Sequence, residues 1–160
     1  MNDLEFLYAR TRGAREVLFE YLKTVPPNDL HQTHLAFGRG SLLENAAHIV
    51  GCYRFWVGEV GLKIPARDLE ILPSTTLDDV QAEFLEVDAM VIQALEVLEP
   101  LEREFEWLDE NGTLRVSGRW LLLHPITHEF QHKGQMLSLG RMLGYPAGPR
   151  FDTALPPPNG

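Results

Sequence analysis

Residues 124–136 read HPITHEFQHKGQM, with histidines at 124, 128 and 132. On an α-helix, residues four apart are separated by about 40° around the axis and roughly 6 Å along it. His128 and His132 therefore project from one face, and His124 can join them one turn earlier. Two imidazoles so placed can grip one divalent ion, and HxxxH on a helix is a recurrent chelating arrangement. The same spacing also suits a polar helix face or a hydrogen-bonded core pair. Two ligands do not make a tight site, so a third must come from elsewhere.

His48 is the candidate. It lies mid-helix in ENAAHIVGCYRFW, a segment too apolar to face water all round. A helix bundle can bring it opposite His128 and His132. Three histidines leave coordination positions open for water or substrate, the usual form of a catalytic zinc site. A mid-helix histidine reads equally well as a satisfied buried residue. Cys52, one turn after His48, could chelate but is better read as packing. Glu44, one turn before, can accept a hydrogen bond from a ligand, although helix capping accounts for it fully. Glu129 and Gln135 flank the pair and can orient ligands or a bound water, while a solvated face explains Glu129 as well. His31 and His34 fall in a loop expected to be exposed. Trp56, Trp107 and Trp120 can line a pocket or fill a core.

These residues need elements to carry them. A first helix is expected from about Asp3 to Lys23, with Leu4, Leu7, Tyr8, Ala14, Leu18 and Tyr21 near one face and Arg10, Arg12 and Arg15 among the polar positions. Pro26 and Pro27 stop it. The second opens at Ser41, where Ser41 and Glu44 form a capping box, and runs to about Gly61 as its stop. The third starts behind Thr76 and carries the cleanest seam, Leu77, Val80, Phe84, Val87, Val91, Leu95 and Leu98. EFEWLDENGTLRV then alternates around Asn111-Gly112, a hairpin signal. A fourth helix spans about Gly118 to Leu143, with Gly144 as its cap and Pro125 either kinking it or starting its regular part. The expected fold is all-α: a four-helix bundle, one domain over 1–160, a short β-hairpin before the last helix, and an irregular tail from about residue 147 with a disordered end.

Composition narrows the function. The chain has 160 residues, 44% apolar and 23% charged, which is ordinary for a globular protein. Its net charge of −9 argues against nucleic-acid binding, which needs Lys and Arg to displace counterions. No apolar run approaches the length of about 20 residues that spans a bilayer. The N-terminus lacks the apolar segment of a signal peptide. A single cysteine fits a reducing cytoplasm.

A mid-helix histidine in NAAHIVGCYRFW, followed by LLLHPITHEFQHKGQMLSLGRMLG from Leu121 to Gly144, resembles the DinB/YfiT-like superfamily of bacterial metalloproteins. The resemblance covers nearly the whole chain. It implies a four-helix bundle, often a homodimer, holding a divalent metal such as zinc or nickel on three histidines. Carried onto this sequence these are His48, His128 and His132; His124 matches a position that precedes the ligand pair. Lys133 stands where many members have Arg. Several relatives use low-molecular-weight thiols, as S-transferases or thiol-dependent isomerases.

Three functions follow as expectations. The leading one is a metal-dependent enzyme of thiol S-transferase type, with a low-molecular-weight thiol as co-substrate and a small electrophile as substrate. The second is hydrolysis by metal-activated water, with Glu129 assisting. The third is a non-enzymatic, metal-stabilised bundle for dimerisation, in which the seam of the third helix is an interface.

Overall fold

A computed structural model describes residues 2–151. Four helices carry the chain: α1 (Asp3–Leu22), α2 (Leu42–Tyr53, extended by a wider-wound segment Arg54–Leu62), α3 (Leu77–Val97) and α4 (Gly118–Met142). Strands β1 (Glu104–Asp109) and β2 (Gly112–Ser117) form an antiparallel hairpin between α3 and α4. The expected bundle with a hairpin before its last helix is the observed architecture. The tail expected to be disordered lies, beyond Phe151, outside the described residues; before it, Pro149–Phe151 make a single 3₁₀ turn.

Local chemistry explains where the helices begin. Ser41 Oγ accepts from Glu44 N, and the Glu44 carboxylate accepts in turn from Ser41 N at 2.6 Å. Thr76 and Asp79 repeat the exchange on α3, and Asn2 and Glu5 on α1. Each box satisfies N-terminal N–H groups that the helix itself leaves without partners. The end of α4 is equally explicit. Gly144 takes φ +94, its N–H reaches Arg141 O, and Tyr145 N–H reaches Gly140 O at 2.8 Å. That pair of bonds is the Schellman closure, which requires a left-handed residue at glycine's place.

Two boundaries differ from the sequence expectation. From Arg54 the second helix winds with i→i+5 bonds, a π-helix, and it ends two residues past Gly61, at Lys63 in the left-handed region with φ 61. Gly61 serves packing instead. A Cβ there would meet Leu98 Cδ1 at 3.4 Å and Leu121 Cδ1 at 3.5 Å. In the hairpin, Asp109 pairs with Gly112, so Glu110 and Asn111 form the turn. An Asn-Gly type I′ turn needs positive φ at both central residues, whereas Gly112 alone here has it, at +125. Pro125 does not start the regular part of α4, which runs through it from Gly118.

The core joins all four helices. The α3 seam is spent inside the chain: Val80, Phe84, Val87, Val91 and Leu98 are all buried. This removes the reading in which that seam is an intermolecular interface. α2 packs on both α3 and α4, and α4 also meets α1. The α2–α4 contact is the one that positions the histidines.

Candidate metal centre

His48 on α2 and His128 and His132 on α4 come together. Each offers a ligating atom, and these atoms all lie within 4.8 Å of one another. Ring centroids are 4.9 Å apart for His48–His128, 4.8 Å for His48–His132 and 4.4 Å for His128–His132. The capping box at Ser41 sets the start of α2, and His48 then falls where α2 crosses the α4 pair. Exposure is graded across the cluster: His132 is buried, His128 half-buried and His48 exposed. The centre is thus rooted in the core and open to solvent at one edge.

The imidazoles are held in the form that a metal needs. Burial first, then the neighbouring histidines, push His128 down from 6.5 to about 4. Burial, His48 and the Arg39 guanidinium do the same to His132, also to about 4. Both rings are therefore neutral at pH 7, with lone pairs to give. His128 Nε2 and His132 Nε2 face each other at 3.2 Å, and His128 Nδ1 is buried with no hydrogen-bond partner among the described residues. Two ring nitrogens turned together, with a third ring beside them, suit a shared cation better than one another.

The remaining candidates separate. His124 lies one turn from His128 at 5.9 Å, but it stacks on Trp120 at 4.6 Å and burial lowers its pKa. Trp120 meets Trp56 at 4.8 Å, and Trp56 meets Trp107 of β1 at 5.8 Å. The three tryptophans thus form a half-buried aromatic row leading from the histidines towards the hairpin. Glu44 is exposed and engaged in its capping box. Gln135 is half-buried, and its Oε1 is without a partner among the described residues. Cys52 is half-buried, and burial followed by the Glu129 charge pushes its thiol up to about 12. His31 lies apart, half-buried, with Nε2 3.0 Å from Thr75 O; His34 is half-buried in the same loop.

Glu129 is not on a solvated face. Its carboxylate is buried, gripped at both oxygens by Arg15 (2.7 and 3.0 Å) and by the Tyr53 hydroxyl at 2.7 Å. Arg15, expected on a polar face of α1, is buried too. It also bonds Asp88 at 2.6 Å, to which Tyr8 and Arg12 donate. This network joins all four helices, and its Glu129 is the residue next to His128 in the chain. Its sequence signal was a charged residue at a core-facing helical position, on α1 (Arg15), α3 (Asp88) and α4 (Glu129). Asn45, three residues before His48, was also missed; its Oδ1 lies 3.3 Å from His132 Nδ1.

A helical bundle that brings three histidines together across two of its helices offers a ligand set that could hold a metal ion. The sequence model of the DinB family matches residues 1–155, and the chain belongs to that family. No curated protein matches the chain. Among the described residues, no helix is long and apolar enough to cross a membrane.

Proposed function

We propose that His48, His128 and His132 hold a divalent metal, zinc or nickel, in an enzyme that acts on a small molecule. The observation that carries this reading is the convergence of three ligating atoms within 4.8 Å from two helices, with His128 and His132 kept neutral. When bound, the ion supplies Lewis acidity, which lowers the pKa of a coordinated thiol or water.

The chain's own residues divide the remaining work. His132 anchors the centre in the core, while exposed His48 marks the side from which a small molecule arrives. His124, neutral at pH 7 and one turn from His128, can accept a proton there. Trp120 and Trp56 offer an apolar wall beside it. Glu129 is unsuited to general-base work, because Arg15 and Tyr53 occupy both its oxygens. That observation weakens hydrolysis assisted by Glu129. Thiol S-transfer to a small electrophile, with a low-molecular-weight thiol as co-substrate, is the chemistry favoured by the family resemblance.

Elemental analysis of untagged protein beside His48→Ala and His128→Ala tests the centre. Near-stoichiometric metal, lost in both variants, is expected; metal indifferent to His48→Ala would break the trio. Conjugation assays on fully metallated protein with several bacterial thiols test the chemistry. Absence of turnover with every thiol would remove S-transfer and leave the metal centre standing.

A further inference from the structure

We infer that Asn45 is a positioning residue for this centre, its side-chain amide fixing His132 in the tautomer that turns the Nε2 lone pair towards His48 and His128. The inference rests on the metal reading above for its purpose, but its geometry stands apart from it.

Asn45 is 3% exposed and sits near the start of α2. Its Nδ2 lies 2.9 Å from Arg39 O and 2.7 Å from Ser41 O. Both partners are backbone carbonyls, which only accept. An amide has one end that donates and one that accepts, so these two contacts fix its orientation. The acceptor Oδ1 must then face His132 Nδ1, at 3.3 Å. An acceptor in that place requires the proton on Nδ1. In a neutral imidazole this leaves Nε2 unprotonated, and Nε2 is the atom 3.2 Å from His128 Nε2. The opposite tautomer would set the Asn45 oxygen against a nitrogen lone pair inside the core, an unpaired contact that burial makes costly.

This is the arrangement by which metal-binding histidines are generally oriented: the nitrogen away from the ion donates to a fixed acceptor. Here the acceptor is itself held by two carbonyls, one of them belonging to Arg39 between two left-handed glycines, Gly38 at φ +66 and Gly40 at φ +77. Ligand orientation is therefore tied to the conformation of the turn that leads into α2.

Two measurements test it. In metal-free protein at pH 7, ¹⁵N-resolved imidazole spectra should show His132 protonated at Nδ1 and bare at Nε2. The reverse tautomer in the wild type would overturn the proposal without any variant. Zinc affinity, measured by competition with a chromophoric chelator, should fall about 10- to 100-fold in Asn45→Leu. Asn45→Asp keeps an acceptor for His132 but cannot donate to the two carbonyls. It should hold zinc within a few-fold of wild type even where its stability drops, which separates orientation of His132 from support of the fold. Unchanged affinity in Asn45→Leu, or an equal loss in both variants, would overturn it. A wild type that takes up no zinc would instead remove the metal reading, and the tautomer spectra would still decide the role of Asn45.

Discussion

Arg15 of α1 and Glu129 of α4 form a two-pronged ion pair inside the bundle, Nε to Oε1 at 2.7 Å and Nη2 to Oε2 at 3.0 Å. Burial works against the charged guanidinium, but the Glu129 carboxylate, with smaller help from Tyr8 and Tyr53, holds Arg15 well above its ordinary pKa. Removing one partner strands the other charge in the core. Arg15→Leu should therefore cost about 3–5 kcal/mol. Replacing both, as Arg15→Leu with Glu129→Leu, should recover part of that loss, and urea denaturation of the two single variants and the pair measures the coupling. Additive losses would show that the pair does not act as a unit.

The histidines make the metal-free protein sensitive to mild acid. His128 and His132 titrate near 4 in the fold and near 6.5 when unfolded. Between those values the unfolded chain binds more protons, so stability rises with pH across the window and is lost as pH falls from about 6.5 towards 4. Urea midpoints of chelator-treated protein from pH 4 to 7 should trace this slope. His128→Ala should flatten it; an unchanged slope would mean other groups set it.

Gly140 is required by a neighbour rather than by its backbone. A Cβ there would lie 1.7 Å from Tyr21 Oη, and Tyr21 is buried with its hydroxyl donating to Tyr145 O at 2.7 Å. Gly140→Ala should destabilise by about 1–3 kcal/mol through overpacking, despite alanine's better helix propensity. Tyr21→Phe in the same background should recover part of the loss. A thermal scan of the three proteins decides it, and a more stable Gly140→Ala would refute the clash.

Cys52 should be a poor nucleophile. Its thiol is pushed up to about 12, so little thiolate exists at pH 8. Iodoacetamide at pH 8 should label it far more slowly in the native protein than in urea. Equal rates would show that the side chain is neither protonated nor shielded as described.

How much of this was legible beforehand follows from the range of each interaction. Capping boxes and the α3 seam are local patterns, and the sequence carries them openly: Ser41 with Glu44, Thr76 with Asp79, Leu77 to Leu98. The histidine cluster was legible because two of its members share one helix and the third is an unusual residue on an apolar one. Arg15, Asp88 and Glu129 were not, since charges 73 and 114 positions apart acquire meaning only when helices pack. The π-winding after Arg54 left no pattern that periodicity detects, and it moved the helix end from Gly61 to Lys63. The hairpin was recognised but slipped by one residue, because Gly112 serves the turn as its left-handed exit rather than as a central residue.

The aromatic row has a spectroscopic consequence. All three tryptophans of the chain, Trp56, Trp107 and Trp120, belong to it, and Trp120 stacks on His124. Emission from this protein therefore comes from one end of the α2–α4 face and the hairpin docked on it. An unfolding curve read by fluorescence follows that region alone, while circular dichroism follows the helices as a whole. Coincident curves would show that the hairpin and bundle melt as one cooperative unit; an earlier fluorescence transition would reveal the hairpin detaching first.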